Sequence, residues 1–168
     1  MSGLGAGHDS FYEYLVKSSI LFDDTQLNFL FTEAVKSIRY HARQGRAKCF
    51  SGTDNYPPIY WNVNMFTGAL ANYWVDSLQA AWAGVLALNG ELEEAVCQHA
   101  LHFAIWQLFG LMPERYNLVL ETPDLYFYPL RPELAESTYL LYRATRHPFY
   151  LQVGATLVND IDNFTREK

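Results

Sequence analysis

From Asp9 onward the apolar residues Phe11, Tyr14, Leu15, Leu21 and Phe22, with the small Ser18 between them, recur at the 3.6-residue period of a helix. Asp9 and Ser10 are its N-cap candidates. After Asp23-Asp24-Thr25, residues Leu27, Leu30, Phe31, Ala34, Val35, Ile38 and Ala42 repeat the pattern to about Arg43. A break that short predicts an antiparallel helical hairpin. Gly52, Pro57 and Pro58 mark residues 45–64 as a loop, with a short extended piece over 59–65. Helical spacing returns at Leu70, Trp74, Leu78, Ala81, Val85 and Leu88 and stops at Asn89-Gly90. Leu92, Val96, His99, Phe103 and Trp106 carry the next helix to Gly110 and complete a second hairpin.

Four prolines, at 113, 123, 129 and 132, predict an irregular stretch over residues 111–131. A third hairpin follows: a helix over 133–146 with Leu134, Thr138, Leu141 and Tyr142 on one face, an interruption at His147-Pro148, and a last helix carrying Leu151, Leu157, Val158, Ile161 and Phe164. The pattern therefore predicts an all-α fold of consecutive antiparallel helical hairpins. Near the start of the first helix of each hairpin stands an acid-Ser pair, Asp9-Ser10, Asp76-Ser77 and Glu136-Ser137. Such pairs favour helix starts in any protein, because both side chains accept hydrogen bonds from free N–H groups. Three in comparable places also suggest one repeated architecture, with the hairpin mouths opening on one side.

Charge and composition narrow the function. Twelve Lys and Arg against eighteen Asp and Glu give a net charge of −6, so no basic surface is available for nucleic acid or an anionic membrane. Half of the 168 residues are hydrophobic and 16% are aromatic, which builds a core rather than a disordered chain. No apolar run reaches the ~18 residues of a membrane span. The first residues, Met1 to Gly7, lack the charged start and apolar stretch of a signal peptide. Cys49 and Cys97 are too few for a disulfide framework and leave the redox compartment open. Asn163-Phe164-Thr165 is an N-glycosylation sequon, a weak pointer to the secretory route.

Candidate chemistry concentrates in three acidic segments. In Arg131-Pro132-Glu133-Leu134-Ala135-Glu136-Ser137, Pro132 suits a first helical turn, so Glu133 and Glu136 share one face at the positive end of the helix dipole. Two carboxylates so close repel, and one of them is suited to general acid or base work; a capped helix start with solvated glutamates gives the same pattern. In Gly7-His8-Asp9-Ser10-Phe11-Tyr12-Glu13-Tyr14, the preceding glycines allow close approach of a ligand, and Tyr12 and Tyr14 are rings suited to sugar faces. The third segment, Met112 to Asn117, puts Glu114 in a loop. His99 and His102 lack the metalloprotease order and read as packed or surface residues, and no serine elbow occurs.

The segment from Gly3 to Leu15, with Asp9 at its centre, resembles one signature of the family 47 glycoside hydrolases, the class I α1,2-mannosidases. Leu130-Arg131-Pro132-Glu133 with Glu136-Ser137 resembles another. Asn62 to Phe66, Asp76 to Ala80 and Pro113 to Asn117 are similar to segments of the branch known as ER degradation-enhancing α-mannosidase-like proteins. The resemblance extends over essentially the whole chain.

It implies that residues 1–168 form about three of the seven hairpins of an (αα)7 barrel, a single partial catalytic domain. It implies an inverting hydrolase that trims mannose-rich N-glycans of misfolded glycoproteins in the lumen of the endoplasmic reticulum. Asp9, Glu114 and Glu133 correspond to family catalytic acids, with Glu133 as the base that activates water, while Arg131 and Glu136 would hold the sugar or ordered water. Calcium belongs at the base of the pocket. Its threonine ligand is expected beyond Lys168 and the general-acid glutamate before Met1, so no metal ligand is assigned here. Ala81-Trp82-Ala83-Gly84 departs from the aromatic residues and proline of many relatives. A lectin-like module that binds glycan or misfolded client without cleavage, and an inactive truncated product, are the alternatives.

Overall fold

The computed structural model describes residues 1–46, 48–54 and 56–166; Ala47, Asn55, Glu167 and Lys168 lie outside the described residues. Six α-helices appear among them: α1 (Asp9–Phe22), α2 (Thr25–His41), α3 (Ala81–Leu88), α4 (Leu92–Phe109), α5 (Glu133–Thr145) and α6 (Phe149–Thr165). They pair as three hairpins, and α1, α3 and α5 stand side by side while α2, α4 and α6 back them. The all-α, hairpin-by-hairpin expectation holds. No helix among the described residues is long and apolar enough to cross a membrane.

Local chemistry sets the breaks. Asp23 closes α1 in the left-handed conformation (φ 51°), and the Asp24 carboxylate then accepts the N–H groups of Gln26 and Leu27 to start α2. Gly110 (φ 74°) and Arg146 (φ 57°) end α4 and α5 in the same way. The buried face of α1 is Tyr12, Leu15, Val16 and Ser19. Phe11, Tyr14, Leu21 and Phe22, which share the helical period, point to solvent instead, as do Leu151, Val158 and Phe164 on α6. Both outer flanks of the array are thus apolar and exposed.

Two stretches differ from the periodicity. Residues 70–76 are not helical: Trp74–Asp76 is a strand, β3, and a short 3₁₀ helix over Ser77–Ala80 leads into α3. Trp74 and Val75 favour an extended backbone, and pairing with β4 (Arg115–Asn117) satisfies it and buries Val75 completely. Residues 111–131 are also more regular than four prolines suggest. β4 pairs with β5 (Thr122–Leu125), and the Asn117 side chain closes the turn by accepting the N–H groups of Val119 and Leu120. The extended piece near residue 59 is β2 (Ile59–Tyr60), which pairs with β1 (Arg43–Gln44).

The 45–58 loop is pinned by a disulfide between Cys49 and Cys97 on α4, so two cysteines too few for a framework still form one bond. His99 and His102 are both buried. His99 Nε2 lies 2.8 Å from Thr138 Oγ1 on α5, and His102 Nδ1 lies 2.9 Å from the Gln98 carbonyl. Burial pulls both imidazoles down to about 4, with the neighbouring His102 adding to the effect on His99. They are neutral packing residues.

Candidate active site

The acidic segments converge at one end of the hairpin array. Asp9 is the first residue of α1, and the Gly5 carbonyl accepts the N–H groups of His8 and Asp9. Gly3 and Gly5 serve the protein's own packing, whereas Gly7 (φ 95°) faces open space. A Cβ on Gly5 would lie 2.1 Å from Asp76 Oδ2, and one on Gly3 would lie 1.9 Å from Asn62 Oδ1. The absence of a side chain at Gly5 lets the Ala6 N–H reach Asp76 Oδ2 at 3.2 Å. Asp76 also caps the 3₁₀ helix by accepting the Gln79 N–H at 3.0 Å. Burial raises the Asp76 carboxyl above its ordinary range, against the two N–H donors.

Glu114 stands just before β4, with its N–H donated to the Phe127 carbonyl and its own carbonyl accepting the Ser77 N–H. Its carboxylate takes a two-pronged ion pair from Arg131, Nε to Oε2 at 2.9 Å and Nη2 to Oε1 at 2.5 Å, and the Ser77 hydroxyl donates to Oε2 at 2.8 Å. Arg131 therefore holds the Glu114 carboxyl below the usual range. The turn before α5 is equally fixed. Tyr128 sets its ring edge-on to the buried Trp106, and its hydroxyl donates to the Arg131 carbonyl at 2.9 Å. Leu130 sits at φ 56°, a costly backbone for a branched residue that this anchoring maintains.

Glu133 opens α5 and is half-buried. Its Oε2 is shut away from water without a hydrogen-bond partner. Burial raises its carboxyl, its own backbone N–H and the Arg131 charge oppose that, and the charges of Asp9 and Glu114 add to the rise. Asp9, Asp76, Glu114, Arg131 and Glu133 thus feel one another's charge at one mouth. One turn along α5, Glu136 Oε1 accepts from Lys17 Nζ at 2.9 Å, and the same ammonium bonds Glu13.

Of the site residues expected from the sequence, the structure sets Asp9, Glu114, Arg131 and Glu133 within electrostatic reach of one another, while Glu136, one turn beyond Glu133, is engaged by Lys17. It adds Asp76 and Lys17, which sequence reasoning did not place there, although Asp76 belongs to one of the acid-Ser pairs. Those three pairs do different things. Ser77 orients Glu114, whereas Ser137 bridges helices by donating to the Ala80 carbonyl at 2.6 Å and accepting the Gly84 N–H at 2.9 Å. Tyr12 is not an exposed sugar platform: its ring packs edge-on against Trp82 in the core, while Tyr14 is exposed. Among the described residues no group of three or more His, Cys, Asp or Glu is arranged to hold a metal ion. Asn163 lies exposed in the last turn of α6.

Comparisons with known proteins show the fold and the family. A solved α-1,2-mannosidase from Trichoderma reesei superposes with a TM-score of 0.77 over 95% of this chain and 38% of its own, at 17% identity. The ER degradation-enhancing alpha-mannosidase-like protein 1 of Schizosaccharomyces pombe is 44% identical over 163 residues, 97% of this chain and 19% of that protein. The human ER degradation-enhancing alpha-mannosidase-like protein 2 is 36% identical over 171 residues, 98% of this chain and 27% of that protein. The chain therefore spans about a fifth to a quarter of the length of these relatives. The model of glycosyl hydrolase family 47 matches residues 1–168. The chain belongs to glycosyl hydrolase family 47.

Proposed function

We propose that these residues form part of the catalytic domain of an α1,2-mannosidase, which removes mannose from mannose-rich N-glycans of misfolded glycoproteins by inverting hydrolysis. The observation that carries this reading is the state of Glu133, a half-buried carboxylate with one oxygen unpartnered, raised in basicity and set beside Asp9 at the mouth. A carboxylate of that kind is matched to taking a proton from water. Inversion needs two carboxyl groups ~6.5–9.5 Å apart, so that a water fits between one of them and the sugar. Asp9 and Glu133 stand on different helices and feel each other's charge across the mouth. Glu114 is held in its ion pair with Arg131, and its part is to orient that guanidinium toward sugar hydroxyls. Glu136, one turn beyond Glu133, is engaged by Lys17.

Among the described residues no group of three or more His, Cys, Asp or Glu is arranged to hold the calcium that the family resemblance implies. The relatives' names support a place in the endoplasmic reticulum, and the Cys49–Cys97 bond is compatible with its oxidising lumen. The exposed Asn163 would carry a glycan there.

The test is mannose release by the full-length protein. Glu133→Gln should keep the fold and glycan binding but slow release by ~10²-fold or more, the scale of a lost general base. Asp9→Asn should behave in the same way. Unchanged release in Glu133→Gln would remove this carboxylate from the mechanism. Glycan binding without any release by the unmutated protein would make the domain a lectin.

A further inference from the structure

The helices that carry the two central carboxylates do not rest mainly on each other. Both α1 and α5 lean on α3, so the spacing between Asp9 and Glu133 is not set by direct packing. A charged link crosses this gap. On α1 the residues Asp9, Glu13 and Lys17 follow at four-residue intervals, one above another on one face. Helical side chains tilt toward the helix N-terminus, so Lys17 reaches back toward the mouth. There its ammonium bonds Glu13 on its own helix and Glu136 Oε1 of α5 at 2.9 Å. Glu136 in turn lies one turn from Glu133.

We propose that Lys17 is a positioning residue for the mannosidase reaction, tying α1 to α5 through Glu13 and Glu136 so that Asp9 and Glu133 keep the separation the attacking water requires. The inference rests on the functional reading above and adds to it a residue that touches neither sugar nor water.

Two facts argue for positioning over simple stabilisation. The Lys17 and Glu136 side chains are 38% and 39% exposed, and ion pairs so open to water add little to folding stability. Geometry at a reaction centre is far more sensitive, since displacing a reacting group by ~1 Å costs up to about 10²-fold in rate. The ammonium also leaves Glu13 and Glu136 in place as a pair. Without it two carboxylates would face each other directly beneath the mouth and push apart. Burial draws the Lys17 ammonium's affinity for its proton down, but its bonds to Glu13 and Glu136 more than offset this, so it stays charged wherever the carboxylates are ionised.

The experiment is a double-mutant cycle in the full-length protein on an α1,2-linked mannobiose. Lys17→Met should lower kcat about 10-fold and change KM by less than about threefold, with the unfolding midpoint kept. Lys17→Arg should recover most of the loss. If Lys17 acts through Glu136, the Lys17→Met/Glu136→Gln double variant should be no slower than Glu136→Gln alone. A wild-type kcat in Lys17→Met, or losses that multiply in the double variant, would overturn the proposal while leaving the hydrolase reading intact. If the unmutated protein binds mannobiose without cleaving it, the hydrolase reading fails. The same cycle read in Kd then decides Lys17, with non-additive losses supporting the tie and independent ones refuting it. Neither release nor binding by the unmutated protein would overturn both.

Discussion

Two helices of this chain begin with glutamates three residues apart, α4 with Glu91 and Glu94 and α5 with Glu133 and Glu136, and their surroundings give them opposite fates. At α4 every oxygen of Glu91 and Glu94 is taken. Arg39 of α2 bonds Glu91 Oε2 and, at 2.7 Å, Glu94 Oε2; Asn89 donates to Glu91 Oε1 at 2.8 Å, and the Tyr60 hydroxyl donates to Glu94 Oε1. Arg43 adds a longer contact of 3.8 Å to Glu94. The group joins the first hairpin to the second and has nothing left to offer a ligand. At α5 Glu136 is engaged by Lys17, but Glu133 Oε2 is buried without a partner. A polar atom withheld from both water and protein costs stability unless something is meant to meet it. The same spacing of acids therefore makes a staple in one place and a candidate site in the other, and what separates them is the one buried oxygen of Glu133 left without a partner.

That contrast can be broken at the staple. Glu94→Gln in the full-length protein should cost ~1–3 kcal/mol of stability, because Arg39 and Tyr60 lose the charge they share, and lower the urea midpoint accordingly. Mannose release per folded molecule should stay at the wild-type level. A protein of wild-type stability that releases mannose more slowly would place Glu94 in the reaction and erase the distinction.

A smaller effect sharpens it through pH. Folding lowers the His99 and His102 imidazoles from an unfolded value near 6.5 to about 4. The folded state thus binds fewer protons than the unfolded one. Their contribution to stability is fully present above pH ~6.5 and is lost as pH falls from there toward about 4. Glu133 titrates above an ordinary glutamate, so its loss as a base begins on the same acid side. Urea midpoints and initial rates measured over pH 4–8 separate the two. His99→Asn should flatten the stability curve and leave the acid limb of the rate where it was; a limb that moved with the histidine would tie the core to the chemistry.

Much of the fold was legible because α2 and α5 bury one apolar face each, and burial on one face writes itself into the sequence at the 3.6 period. The same rule misassigned Leu70 and Trp74, whose helical spacing is accidental: the partner strand Arg115–Asn117 lies some forty residues away, and no local signal announces it. It also miscast Phe11 and Leu21, apolar residues at helical spacing that stay exposed on the flank. Of the site, Asp9, Glu114, Arg131, Glu133 and Glu136 could be found from two long motifs and a Pro-Glu pair. Lys17 could not, because its partner Glu136 is 119 positions distant. The glycines before Asp9 were visible but their purpose was not, since the atoms they accommodate belong to Asn62 and Asp76. Pairing of Cys49 with Cys97 is likewise a property of the loop and α4 together.

In the proposed reaction Glu133 and Asp9 act on the glycan as a separated pair, one of them with water between itself and the sugar. The most direct measurement is a proton NMR time course of the full-length protein acting on α1,2-linked mannobiose, following the anomeric signals before mutarotation equalises them. The account predicts that β-mannose appears first and that Glu133→Gln removes it. Mannose released first as the α-anomer would mean a covalent, retaining route with closer carboxylates, and would contradict the arrangement argued here.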